Sequence, residues 1–406
     1  MKVLLIILSL SFFCFDIVDS QIVRRLSSTQ SVQQALDSNL YVQSVSMSLS
    51  ADKASVGTSF NIPKSEIGFS YGNVSSAAVD NSLSFSQSFL FPSVYFNQLK
   101  LSKAKALAGE YRLKDAQLQL SAKVKRLYWK IVYCKALNSL LISEDSLLSS
   151  VVIATQSRVS SGDAASLDLM SARSLQMETK NKQKKNEVDI DILTDEFKSL
   201  LNISFPFLLN DSVLVPLPFD SLPTDSLIHN PLWALSSQQT KISEYERLVV
   251  RSKIYPDISV GFTSQTYKDL KDFSIGRRFY SVQLGLSFPL FCGGFVADNK
   301  VAKARVRQAE AFAYDSQRSL GASYHSQLAE CIRLYNSLLY YQQFAVPNAN
   351  AIIQQSRFAY EQGDISYADY LLNVTRTLQI KQASLESIDL FNQAVILFDT
   401  ILGKIY

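Results

Sequence analysis

The feature that most constrains this chain is a run of sevens that appears twice. Leu113, Leu120, Leu127, Cys134, Leu141 and Leu148 recur every seven residues, with Val124 and Ile131 interleaved four residues after their predecessors. An apolar seam of this period belongs to a long helix that packs along its length, and strict sevens imply left-handed supercoiling. About two hundred residues later the pattern returns: Leu320, Gln327, Leu334 and Tyr341 form one set of sevens, and Tyr324, Cys331 and Leu338 the other. Each seam is followed by a Gly-Asp pair, Gly162-Asp163 and Gly363-Asp364, and then by a second helical stretch, to about Leu201 and Leu402. In the latter stretch Leu371, Leu378 and Leu385 keep the spacing, with Val374, Ile388 and Val395 on the partner positions.

Register and turn therefore agree on an internal two-fold repeat. Residues 21–210 form the first copy, with strands at about 65–91 and a helical hairpin at about 94–201. Residues 211–229 link it to the second copy, 230–406, with strands at about 257–291 and a hairpin at about 295–402. A helix from about 95 to 158 would extend roughly 95 Å at 1.5 Å per residue. Pro347 falls inside the third long helical region and predicts a kink or break there.

Ahead of each hairpin the period changes to two. Ile67, Phe69 and Tyr71 alternate with Gly68, Ser70 and Gly72, while Leu83, Phe85, Phe89 and Phe91 alternate with Ser84, Ser86 and Ser88. Ile258, Val260 and Phe262 alternate with Ser259, Gly261 and Thr263. Tyr280, Val282, Leu284, Leu286 and Phe288 alternate with Ser281, Gln283, Gly285 and Ser287. These are four strands with one apolar face. The other face carries Gly, Ser, Thr and Gln rather than the charged residues of a soluble sandwich. Strands of about nine to eleven residues with an apolar outside and a polar inside suit a transmembrane barrel. Four strands cannot close one, and an open edge in lipid leaves backbone groups unsatisfied. Several copies must share a barrel, and a trimer with twelve strands is the preferred closure. Both strand pairs lead back into helices, through Pro92 and through Pro289 to Gly294, so residues 73–81 and 268–278 become loops on the opposite side of the membrane. Arg277-Arg278 in the second loop reads as a solvated or headgroup contact.

The N-terminus agrees with export. Met1-Lys2, the apolar runs Val3–Leu10 and Phe12–Phe15, and Val18-Asp19-Ser20 describe a secretory signal peptide over residues 1–20, with the mature chain starting at Gln21. Cys14 lacks the small-residue context of a lipoprotein site. Beyond the signal, no apolar run of about 18 residues is expected to cross a membrane as a helix.

Composition disfavours several chemistries. The chain has 40 Lys+Arg against 36 Asp+Glu over 406 residues, too even a balance for a nucleic-acid partner. With 13 Gly and 2 His, phosphate loops and histidine-centred catalysis have little material, and His229 and His325 stand apart. Cys134 and Cys331 occupy seam positions as small hydrophobes and Cys292 the sheet-to-helix joint; no CxxC spacing points to a metal or disulfide framework. Lys180, Lys182, Lys184 and Lys185 read as a solvated helical face. No catalytic residue, metal site or cofactor is expected, and the chain is not read as an enzyme.

Three segments carry a resemblance. Asn230-Pro231 opens a helix that ends at Tyr255-Pro256, and Asp257-Ile258-Ser259-Val260 enters a strand. Val282 to Gly294, VQLGLSFPLFCGG, forms a strand-to-helix joint; Tyr360 to Leu371, YEQGDISYADYL, forms a helical turn. In order, spacing and duplication these segments resemble the outer-membrane efflux proteins, the TolC-like family, over essentially the whole mature chain. The resemblance implies a fold of mixed α and transmembrane β: a trimer with a twelve-stranded barrel in the outer membrane of a Gram-negative bacterium and a twelve-helix tunnel in the periplasm. It implies a duct that exports drugs, metal ions or proteins by docking onto a periplasmic adaptor and an inner-membrane pump such as an RND transporter. The helical tips, Arg158 to Asp168 and Arg357 to Asp369, then line the periplasmic mouth and meet the adaptor. Gly162, Asp163, Asp168, Gly363, Asp364 and Asp369 are the expected aperture and docking residues. The first tip is about two residues shorter than the second between its Gly-Asp and the next arginine, Arg173 against Arg376. The Asn202–Leu227 segment would form a belt around the tunnel's middle.

Two readings of the tip aspartates stand side by side. A ring of carboxylates tripled by symmetry would constrict the mouth and select cations; alternatively each aspartate caps the helix that follows it. At the level of the whole chain the alternatives to an efflux duct are a type I protein-secretion duct of the same architecture, a soluble periplasmic coiled-coil scaffold, which leaves the four strands unexplained, and an export-linked enzyme.

Overall fold

The computed structural model describes residues 24–73, 79–219, 224–269 and 272–404. The expected signal peptide, Cys14 and the start at Gln21 lie outside the described residues. β1 (Arg24–Leu26) leads into α1 (Ser28–Ser38) and α2 (Leu40–Ser55), followed by β2 (Glu66–Gly72), β3 (Asp80–Phe89), α3 (Pro92–Ser161) and α4 (Ser166–Leu201). Then come β4 (Phe207–Leu209), α5 (Pro231–Ser252), β5 (Asp257–Asp269), β6 (Asp272–Ser287), α6 (Gly293–Tyr340), α7 (Val346–Gln362) and α8 (Tyr367–Ile401).

α3 is one helix of 70 residues, about 105 Å long at 1.5 Å per residue. Pro92 opens it, where a fixed φ helps and the missing N–H is not needed. Its seam is buried as the sevens require at Leu120, Cys134, Leu141 and Leu148, with Val124 and Ile131 beside them, while Leu113 and Leu127 are half-buried. In the second seam Tyr324, Cys331, Leu334 and Leu338 are buried and Leu320, Gln327 and Tyr341 half-buried. One correction concerns membrane helices: α3 does contain an 18-residue stretch apolar enough, by composition, to cross a membrane. Of that stretch 22% is buried, and Leu148 and Val151 of α3 join Ala172 of α4 and Val374 and Leu378 of α8 in one cluster.

Pro347 does not end the helical region, which continues from α6 into α7. Residues Tyr341–Ala345 form a π-turn between α6 and α7, in which the Val346 N–H donates to the Tyr341 carbonyl. Proline cannot donate, and a π-turn just before it lets the backbone absorb the missing bond without breaking the rod. Sequence alternation did not show α1, α2 or the parallel pair β1–β4, whose register is Arg24 to Phe207 through Leu26 to Leu209. This pair and the segment that follows it pack on α3 and α8. The Tyr128 hydroxyl donates to Asp211 Oδ2 at 2.5 Å. Asn392 accepts from the Leu217 N–H at 2.8 Å and donates to the Val215 carbonyl at 2.9 Å.

The α3–α8 contact also buries charge. Lys130 Nζ lies 2.6 Å from Asp389 Oδ2, and the Asp389 side chain is 3% exposed. Glu144, 2% exposed, accepts from Gln382 Nε2 at 2.9 Å through one oxygen, while its other oxygen has no partner. Burial raises the Glu144 pKa, opposed by the Gln382 bond and by Lys182 and Lys381. A carboxylate with a raised folded-state pKa binds more protons folded than unfolded. Its contribution to stability is therefore most favourable below the unfolded-state value and is lost as pH rises through the folded one. Glu144→Gln should stabilise the protein at neutral pH, by up to about 1–3 kcal/mol for relieving a buried unpaired group. It should also flatten the fall in stability above the ordinary carboxylate range. Thermal melting of both proteins across mildly acidic to neutral pH checks this; a constant difference at every pH would remove Glu144 as the titrating group.

The four longer strands form one antiparallel sheet of order β2-β3-β5-β6. Residues in register make rows across it. Ile67, Phe85, Phe262 and Val282 form an apolar row, and Gly68, Ser84, Thr263 and Ser281 a polar one. The polar rows are tight: a Cβ on Gly68 would sit 2.6 Å from Ser84 Oγ, so small residues let the facing side chains cross. The second expected loop is corrected. Residues 268–278 are mostly strand, because β5 runs to Asp269 and β6 resumes at Asp272. Both strands exceed the expected length, at 13 and 16 residues. Phe91 and Phe288 fall just beyond β3 and β6. Of the first loop, residues 74–78 lie outside the described residues, as does the Arg277 side chain. Arg278 is exposed, its guanidinium 3.4 Å from Asn81 Oδ1.

Candidate functional site

Two features stand out as surfaces rather than core: the paired helical turns at one end, and the apolar face of the sheet at the other. α3 ends at Gly162 (φ 84°) and α7 at Gly363 (φ 84°), both left-handed. In each turn the glycine N–H donates three residues back and the following aspartate N–H five residues back, to Val159 and Arg158 in one and to Tyr360 and Ala359 in the other. This is the Schellman closure, for which glycine is favoured because it has no Cβ to clash in the left-handed region. A Cβ at either glycine would meet nothing within 4 Å, so the cost of substitution is backbone strain alone. Gly363→Ala and Gly162→Ala should each destabilise by about 1–2 kcal/mol. Equal losses in the two variants, read from thermal unfolding, are the expected result.

The helices that follow start at the same offset, Ser166 after N-cap Ala165 and Tyr367 after N-cap Ser366. Asp168 and Asp369 are therefore both third in their helices. The two-residue difference seen between Arg173 and Arg376 lies within α4 and α8, not in the turns. The Asp369 N–H donates to Ser366 Oγ at 3.2 Å, and Ser366 Oγ donates to Asp369 Oδ2 at 2.6 Å, so Ser366 caps α8 and Asp369 holds the capping hydroxyl from the helix's first turn. Ser161 Oγ donates to Asp163 Oδ2 at 2.8 Å. Asp163, Asp364 and Asp369 are exposed and Asp168 half-buried.

The two tips sit side by side. The Arg158 guanidinium donates to the Tyr360 hydroxyl and lies 5.2 Å from that ring. Tyr360 stacks on Tyr370 with centroids 4.8 Å apart and meets Tyr367 edge-on at 6.0 Å. Burial raises the Tyr367 and Tyr370 pKa values, with the Asp168 charge adding to the shift at Tyr367. Arg357 Nε donates to Glu361 at 2.9 Å. The tyrosine cluster was not assigned a role from sequence; its signal is the spacing of Tyr360, Tyr367 and Tyr370 across the Gly-Asp turn, which puts one ring on α7 opposite two on α8.

At the other end the sheet's apolar face is bare. Leu284 is 80% exposed and Phe291, at the joint into α6, 90%. On the edge strands Ile67, Phe69, Tyr71, Val282 and Leu286 are exposed, as are Phe85 and Phe262 in the centre. β2 and β6 each pair on one side only. Water does not tolerate so large a contiguous apolar surface on a soluble monomer.

Cys134 and Cys331 are buried and free, burial pushing both thiols up to about 11; Cys292 is free and exposed. His229 and His325 are exposed, His325 lying edge-on to Tyr324 at 5.3 Å. Lys180, Lys182, Lys184 and Lys185 are exposed. Among the described residues no group of His, Cys, Asp or Glu forms a metal site.

Residues 222–397 match the family model of the outer membrane efflux protein. Searched by sequence, curated proteins yield no match. Solved structures match in fold. CusC, studied for conformational changes accompanying folding and transmembrane channel formation, aligns at a TM-score of 0.79 with 17% identity over 93% of this chain and 92% of that one. The outer membrane protein VceC of Vibrio cholerae gives 0.77 and 14% identity, covering 93% of this chain and 96% of its own. The CmeC outer membrane channel of Campylobacter jejuni gives 0.77 and 15%, covering 93% and 86%. By sequence over residues 222–397 and by fold over nine-tenths of its length, the chain resembles the TolC-like outer-membrane efflux proteins.

Proposed function

We propose that three copies of this chain form the outer-membrane exit duct of a tripartite efflux system that carries small molecules from the periplasm. The observation that carries this reading is the bare apolar face on a four-stranded sheet with two open edges. In lipid such a sheet is stable only when its edges are paired, and three copies edge to edge give a closed, even-stranded barrel. The Gly, Ser, Thr and Gln face then lines the lumen, and the repeats 21–210 and 230–406 contribute two strands and a helical hairpin each, with 211–229 in the belt between. The long helices continue as a periplasmic tunnel whose mouth is formed by the tips at Gly162, Asp163, Asp168, Gly363, Asp364 and Asp369. These tips are also the surface offered to a periplasmic adaptor and, through it, an inner-membrane pump. The transport step needs no catalytic group of this chain, because a duct works by shape and charge.

Native mass spectrometry of the protein extracted from outer membranes tests the assembly. A mass three times that of the mature chain is expected; a monomer sinks the shared barrel. In planar bilayers, Asp364→Asn with Asp369→Asn should lower the cation-to-anion permeability ratio. An unchanged ratio removes these aspartates from the selectivity of the mouth.

A further inference from the structure

One cavity is set where the sheet meets the helices, and nothing above uses it. It is about 680 Å³ and lies between the first turn of α3, the last turns of α5 and the first turns of α6. These are the segments joined directly to β3, β5 and β6, so the cavity lies one or two helical turns beyond the sheet's edge. Its apolar wall, Leu248, Ile254, Tyr255, Phe295 and Val296, continues the bare belt through the exposed Phe288, Leu290 and Phe291. Phe91 stacks on Tyr255 at 4.8 Å, a pair at the junction. Arg251, Lys300 and Lys303 also line the cavity, and no Asp or Glu does. All three cations are exposed, and none is in an ion pair among the described residues. Two further wall atoms, Ser93 Oγ and Asn299 Oδ1, are shielded and lack hydrogen-bond partners.

We propose that this cavity is a binding site for an anionic phospholipid of the leaflet nearest the helices, its acyl chains on the apolar belt and its phosphodiester held by Arg251, Lys300 and Lys303. This rests on the reading that the sheet's apolar face lies in lipid. The depth order is the one an interface imposes: aliphatic side chains on the sheet, aromatics at the joint, cations just beyond. Long cationic side chains bury their stems along apolar surface and present the charge to a headgroup. Three cations with no carboxylate among them suit a lipid of net negative charge such as phosphatidylglycerol better than a zwitterionic choline lipid. The volume is within the usual range for a small-molecule site. A free anion would use the cations but leave the apolar wall uncovered.

The test uses the full-length protein purified in nonionic detergent and offered phosphatidylglycerol, phosphatidylcholine or inorganic phosphate, with binding read by native mass spectrometry. Phosphatidylglycerol should be retained over phosphatidylcholine, and millimolar phosphate should not displace it. Each of Arg251→Gln, Lys300→Gln and Lys303→Gln should weaken retention about fivefold, the effect expected of one cation at a charged lipid surface. Equal retention of the two lipids, or displacement by phosphate, overturns the proposal, whatever the variants do. Flotation with phosphatidylcholine vesicles separates the two readings. Wild type that inserts yet shows no lipid preference loses this site and keeps the membrane sheet. Wild type that does not insert at all loses both.

Discussion

Leu284→Arg should abolish membrane assembly while leaving the helical part folded. Leu284 is 80% exposed on edge strand β6, opposite Val260 on the apolar face. In water such a site accepts arginine at little cost. On a lipid-facing strand, arginine near the bilayer midplane costs about 2–4 kcal/mol, and a trimer repeats that cost in every copy. The control is Gln283→Arg, one residue away on the polar face, in register with Gly261, which should insert nearly as well as wild type. Flotation with lipid vesicles gives the inserted fraction, and circular dichroism reports the helices. If both arginine variants insert equally, the apolar face does not meet lipid and the duct reading fails with it.

Phe391→Ala should show the largest loss in the soluble part of the molecule. Phe391 is 1% exposed in α8, with Phe219 at 6.2 Å and Tyr335 at 5.7 Å between ring centroids. Removing a buried ring costs its transfer free energy plus the cavity left behind, about 3–5 kcal/mol. The belt segment should loosen first, because the neighbouring Asn392 holds its backbone at Val215 and Leu217. Hydrogen exchange should therefore rise across residues 211–219 before it rises in α3. Phe291→Ala is the matching control: that ring is 90% exposed, so its loss in detergent should leave the unfolding midpoint nearly unchanged. A similar shift in both variants would show that burial of the Phe391 ring is not what stabilises the helical part.

Much of the fold is legible in the sequence because its periods are long and strict. A seam of sevens from Leu113 to Leu148 can only be a helix, and the alternation from Tyr280 to Leu286 can only be a strand, since each period matches one backbone geometry. The Gly-Asp pairs marked both turns for the same reason, as the left-handed closure at Gly162 and Gly363 is one that side chains resist. Short elements were not legible: three-residue β1 and β4 have no room to show a period, and the stripe of α1, Val32, Ala35 and Leu36, spans little more than one turn. The sites divide in the same way. Sequence placed Asp369 at a helix start, but only the folded chain shows it bonded to Ser366. Sequence could not bring Arg158 to Tyr360, 202 residues apart, or Arg251 of α5 into one cavity with Lys300 and Lys303 of α6. Local periodicity is a property of a few neighbouring residues and survives in the sequence. Proximity between distant segments is settled by how helices pack and strands register, and the tertiary structure alone decides it.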